Sequence, residues 1–127
     1  MSRPTILIIE DQDDFRATLQ NALSGRGYRV VAAATGRAAN KFFAGEPIDL
    51  VLTDLLMPDR DGIEVIADLR KSRPNLPVIA MSGGGRLPPD YYLKLAQGFG
   101  AKAILEKPFS NERLFEAIAR VLPQEAD

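Results

Sequence analysis

The residues of this sequence best suited to chemistry are few and lie far apart along the chain: Glu10-Asp11, Asp54, Ser82 and Lys107. Three acids, one hydroxyl and one cation make a coherent set. Carboxylates brought together repel one another and hold protons more tightly unless a cation sits among them. Hard oxygen donors suit magnesium, which prefers a few carboxylates, waters and phosphate oxygens to a cage built wholly of protein. Lys107 supplies a mobile point charge for an incoming phosphoryl oxygen, and Ser82 a hydroxyl donor. Phosphoryl transfer needs mainly positioning and charge neutralisation, and a carboxylate can itself be the nucleophile, giving an acyl phosphate. The chain has no histidine and no cysteine. It therefore cannot be its own phosphohistidine donor, cannot use an imidazole base or a thiolate, and has no disulfide staple.

Each of these residues follows an apolar run that reads as a strand. Thr5 to Ile9 is continuous and β-branched, as in a strand covered on both faces of a parallel sheet, and it stops at Glu10-Asp11. Phe15, Leu19, Ala22 and Leu23 follow at helical spacing, with Asp13 as the expected cap and Gly25 and Gly27 as stop signals. The alternation then repeats. Strands are expected over 28–33, 48–53, 78–81 and 103–105, and a short helix over 37–43. Val65, Ile66 and Leu69 mark a third helix, Tyr92, Leu95, Ala96 and Phe99 a fourth, and Leu114, Ile118, Val121 and Leu122 the last, capped by Ser110. Five strands alternating with five helices predict an open α/β sheet with right-handed crossovers. Ligands in such folds sit at the carboxyl ends of the strands, where the acids, Ser82 and Lys107 fall.

Composition narrows the rest. Sixteen basic against seventeen acidic residues leave a formal charge of -1 over 127 residues, so no global field recruits nucleic acid or an anionic membrane. The apolar stretch before Glu10 is too short for a secretory core or a membrane span, and a cytoplasmic protein is expected. Residues 1–127 read as one domain with no effector domain attached. Asp13 and Asp14 suit the first turn of a helix, where acids complement its dipole, and Asp59 and Asp61 suit a turn. Tyr92 and Phe99 are expected in the core. Gly83-Gly84-Gly85 lacks the lysine-serine ending of a nucleotide loop.

The stretches Ile-Leu-Ile-Ile-Glu10-Asp11, Asp54-Leu-Leu-Met-Pro-Asp-Arg-Asp-Gly62, Ala80-Met-Ser82-Gly83 and Lys107-Pro-Phe109 occur in order at the strand ends. In this the chain resembles a response-regulator receiver domain from end to end, of the single-domain chemotaxis-regulator type. The resemblance implies a flavodoxin-like doubly wound sheet of five parallel strands in order 2-1-3-4-5 with five helices. It implies that Asp54 is the phosphoacceptor, that Asp11 and Asp54 are direct magnesium ligands, that Glu10 is a ligand mostly through water, and that the Leu56 carbonyl is a further protein oxygen. Lys107 would contact the phosphoryl group, Ser82 would swing toward it after transfer, and the Gly83 amide would assist. The Lys107-Pro108 bond is cis in the family.

The implied donor is a histidine kinase or a histidine phosphotransfer protein. The downstream target is an unspecified protein, reached as a monomer or a phosphorylation-dependent dimer, with neither nucleic acid nor membrane as partner. The sequence departs from the family pattern at three places. Glu10 stands where aspartate is usual, Ser82 replaces the commoner threonine, and Ile104 occupies the place of the switch aromatic. The stretch between Ser82 and Lys107 is also longer than usual, by about the length of the added glycines. A movement of the Gly83-Gly84-Gly85 loop, reported by Tyr91 or Tyr92, is the expected substitute for an aromatic flip. Two other functions compete: a receiver-like interaction module that works without phosphorylation, and a magnesium-dependent aspartyl phosphatase of the haloacid-dehalogenase kind. The latter carries its two aspartates two residues apart after the first strand together with a cap domain, and here Asp11 and Asp13 are followed by none.

Overall fold

The computed structural model describes residues 3–45, 47–55, 62–83, 94, 97, 98 and 100–122. Five short apolar segments form the strands β1 (Thr5–Ile9), β2 (Arg29–Ala33), β3 (Leu50–Asp54), β4 (Val78–Ser82) and β5 (Ala103–Glu106). Four helices are described: α1 (Asp13–Gly25), α2 (Gly36–Gly45), α3 (Gly62–Ser72) and α4 (Asn111–Val121). The helix expected over 92–99 lies almost wholly outside the described residues, although Lys94, Gln97 and Gly98 are helical.

All strand pairs are parallel, in the order β2-β1-β3-β4-β5. Strands β1, β3 and β4 are buried along their whole length, which is why they read as continuous apolar runs rather than alternating ones. Successive side chains still point to opposite faces, and two cores result. On one face Ile6, Ile8, Leu50, Leu52, Ile79 and Met81 meet Leu19 and Leu23 of α1 and Leu114 and Ile118 of α4. On the other, Leu7, Ile9, Val51 and Ala80 meet Ala39 of α2 and Val65, Ile66 and Leu69 of α3. Fully burying side chains of this kind stabilises by about 1.5–3 kcal/mol each, so this layering fixes the sheet firmly.

Helix ends agree with the sequence in part. Ser110 caps α4, its hydroxyl accepting from the Arg113 amide at 3.1 Å. At α1 the cap is Gln12, with no side-chain bond, and not Asp13 as expected. Asp13 is instead the first helical residue, and its carboxylate is drawn to the Arg16 guanidinium one turn on, at 2.6 Å. The helix stops where foreseen, at Gly25, and Gly27 takes a positive φ of 102°. Asp59, Asp61, Tyr91, Tyr92, Phe99, Gly84 and Gly85 lie outside the described residues, and with them the expected loop movement.

Candidate functional site

The strand register gathers the chemistry. Ile9 of β1 pairs with Thr53 of β3, so Glu10 falls beside Asp54. Asp54 pairs with Met81, and Ser82 with Glu106, so Lys107 leaves β5 just past the end of β4. The ladder runs on for one residue at three places: the amide of Glu10 donates to Ala33 O at 3.0 Å, Leu55 to Met81 O at 3.0 Å, and Lys107 to Ser82 O at 2.7 Å. Parallel pairing of four strands therefore lines up on one rim what lies 97 residues apart in sequence.

Carboxylate oxygens of Glu10, Asp11 and Asp54 lie within 4.8 Å of one another. Glu10 is fully buried, Asp54 nearly so, and Asp11 only in part. The Lys107 ammonium enters the cluster, donating to Glu10 Oε1 at 2.9 Å and standing 3.4 Å from Asp54 Oδ2. The other Glu10 oxygen, Oε2, accepts from the Gln12 amide at 3.1 Å. Burial pushes the Glu10 carboxyl above its ordinary range; the Lys107 and Gln12 hydrogen bonds oppose that shift, and the Asp54 charge adds to it. A Glu at this place thus reaches inward to an ammonium. It is not the solvated strand end that Glu10-Asp11 taken alone would suggest.

Ser82 is buried at the end of β4. Gly83 is required for space, since a Cβ there would lie 2.9 Å from Lys107 Cβ and 3.2 Å from the Lys107 carbonyl oxygen. The Lys107-Pro108 bond is cis. Leu56 lies outside the described residues. Ile104 is half-buried, packed on the core beneath α2 and α3.

Two residues escaped the sequence reading. Arg16 donates from Nη1 to the Glu10 carbonyl at 2.9 Å and from Nη2 to Asp13 at 2.6 Å, tying the acidic corner to α1. The i,i+3 spacing of Asp13 and Arg16 was the available signal. Phe15, read as part of a core stripe, also lies against the Lys107 ammonium, and no local pattern could announce a contact across the sheet.

The donor set suits a hard divalent cation: oxygen atoms only, grouped closely enough to share one ion, with more negative charge than one ammonium offsets.

Open parallel sheet, acidic rim and a lysine at the end of the last strand define a phosphoacceptor class of α/β domain. The model of the response regulator receiver domain matches residues 6–119, and the chain belongs to that family, the receiver domains of two-component signalling. It is 32% identical over 123 residues to sporulation initiation phosphotransferase F of Bacillus subtilis (strain 168), covering 97% of each. It is also 32% identical over 121 residues to the transcriptional regulatory protein GlrR of Escherichia coli (strain K12), of whose length it spans 27%. In structure it is similar to the chemotaxis protein CheY4 of Vibrio cholerae, with a TM-score of 0.86 and 26% identity over 95% of this chain and 100% of that one. Receiver domains take phosphoryl groups from histidine kinases. Among the described residues no helix is long and apolar enough to cross a membrane.

Proposed function

We propose that Asp54 is the residue that accepts the phosphoryl group, with Lys107, Ser82 and Gly83 serving the transfer. One observation carries this: Asp54, Asp11 and Glu10 share a space of 4.8 Å into which the Lys107 ammonium projects. An Asp54 carboxylate oxygen attacks phosphorus in a phosphohistidine of the donor, a histidine kinase or histidine phosphotransfer protein. The new P–O bond forms as the P–N bond breaks, and the electron pair leaves with the imidazole, which takes up a proton. Lys107 meets the phosphoryl oxygens with its charge. Ser82, at the end of the neighbouring strand, is the hydroxyl that turns to the acyl phosphate afterwards.

Magnesium is the proposed cofactor, held by Asp11 and Asp54, by Glu10 through water, and by the Leu56 carbonyl. Bound there, it neutralises the carboxylates and draws charge from the phosphoryl oxygens. The protein acts as a phosphoacceptor with at most slow self-dephosphorylation, and signals to another protein. The cytoplasm, where kinases are charged by ATP, is the proposed compartment.

Incubation with acetyl phosphate and magnesium, followed by intact-mass measurement of wild type and Asp54→Ala, tests the reading. A single phosphate adduct, lost in Asp54→Ala, is expected. No adduct would mean a receiver-like module that works without phosphorylation. Steady turnover of an unrelated phosphate ester would mean an aspartyl phosphatase.

A further inference from the structure

Among the described residues the Lys107 ammonium has a further neighbour besides the carboxylates of Glu10 and Asp54. It lies 4.6 Å from the centroid of the Phe15 ring, over the ring face. Phe15 is the third residue of α1, half-buried against the core that α1 shares with α4. Its ring is met nearly edge-on by Phe109, with centroids 5.8 Å apart and planes at 71°, an arrangement in which the positive ring edge of one faces the negative face of the other. The ring is thus held by helix, core and a second aromatic, while the ammonium ends a flexible four-carbon stem that is 18% exposed.

We propose that Phe15 is a positioning residue for phosphoryl transfer, holding the Lys107 ammonium in place on its ring face without neutralising it. The physical distinction is between two kinds of partner. A carboxylate at 2.9 Å, as Glu10 provides, fixes the ammonium but cancels its charge. An aromatic face attracts the same ammonium through its quadrupole and carries no net charge, so it adds hold on the ammonium without taking up any further part of its charge. The ring offers no oxygen to a hard divalent ion, so holding the ammonium there leaves the oxygens of Glu10 and Asp54 to such an ion. An aliphatic side chain at position 15 would keep the position apolar and supply none of this attraction. The inference rests on the reading of Lys107 as the phosphoryl contact.

The test uses acetyl phosphate as donor, because a small molecule has no protein surface to dock on α1 and a change in rate then reports on the site itself. Phe15→Leu is expected to slow adduct formation by a factor of about three to thirty, the range a cation–π contact spans. Phe15→Tyr keeps a ring face and recovers the rate. With Lys107→Ala already present, Phe15→Leu has little further effect, because the two residues act as one unit. Proton NMR of labelled lysine adds a readout that loss of packing alone would not give. The Lys107 ε-methylene protons are shifted upfield by the ring current in wild type and Phe15→Tyr, and released in Phe15→Leu. Should Phe15→Leu not fold, Phe15→Met offers a second side chain without a ring. Equal slowing by Phe15→Leu with and without Lys107, or unshifted Lys107 resonances in wild type, overturns the proposal. If wild type forms no adduct, the phosphoacceptor reading fails by itself, and the Lys107 resonances still decide whether the ring holds the ammonium.

Discussion

Replacing Asp54 by asparagine removes one charge from the crowded rim with almost no change of shape, and its effect on stability follows from the distances. Carboxylate oxygens of Glu10, Asp11 and Asp54 lie within 4.8 Å of one another. At an effective dielectric constant of about 20, two unit charges at that separation repel by roughly 3.5 kcal/mol, so Asp54 bears about 7 kcal/mol from its two neighbours. Lys107, 3.4 Å from Asp54 Oδ2, offsets about 5 kcal/mol of this on the same scale. From these charges alone about 2 kcal/mol of net repulsion remains, and solvent around the partly exposed Asp11 reduces it further. Without divalent cation, Asp54→Asn should therefore be more stable than wild type by about 1–2 kcal/mol, a rise in Tm of about 5 °C. Urea unfolding in EDTA and low salt at about pH 7 measures this directly. Magnesium at a hundred times its Kd should then stabilise wild type by about 2.7 kcal/mol and the variant by less, because the variant offers one anionic ligand fewer. The stability advantage of the variant therefore shrinks on adding the metal. A variant less stable than wild type in EDTA would refute the reasoning, since attraction to Lys107 would then outweigh the repulsion among the acids.

Two further predictions concern the protein without metal. The Glu10 carboxyl binds its proton more tightly in the folded chain than its ordinary value near 4.5 implies, chiefly through burial. A raised carboxyl means that the folded state holds more protons than the unfolded one, so stability falls as pH rises from about 4.5 through the folded titration and is level above it. Glu10→Gln, which cannot titrate, should remove that fall in urea titrations run in EDTA across this pH range, and an unchanged slope would exclude Glu10 as its source. Gly100 has a φ of 106°, and a Cβ there would come within 2.5 Å of Arg70 Nε. Gly100→Ala should cost about 1–2 kcal/mol in thermal unfolding from the left-handed backbone alone. It should also displace Arg70 from its bond to the Pro74 carbonyl, 2.8 Å long.

The alternation of strands and helices was legible because burial on both faces of a parallel sheet leaves unbroken apolar runs, as in Thr5–Ile9 and Val78–Ser82. The gathering of the site residues at one rim was legible for a related reason. Acids, a hydroxyl and a lysine placed immediately after such runs have few roles other than a rim site, and Asp11, Asp54 and Lys107 follow that logic. The strand order was implied by family resemblance and not by periodicity, since local patterns do not state which strands are neighbours.

What only the tertiary structure decided are the partnerships across the sheet. The sequence places Glu10 and Lys107 at two strand ends; register, set by two cores packing independently on the two faces, brings the carboxylate and the ammonium to 2.9 Å. It turns Glu10 inward, makes Gly83 a matter of room for Lys107, and moves Phe15 from a packing stripe to the side of a charged group. Short-range propensities fix which segments are strands and helices. The distances within the site are fixed by side chains that meet only after those segments have packed, and no window of sequence contains both partners.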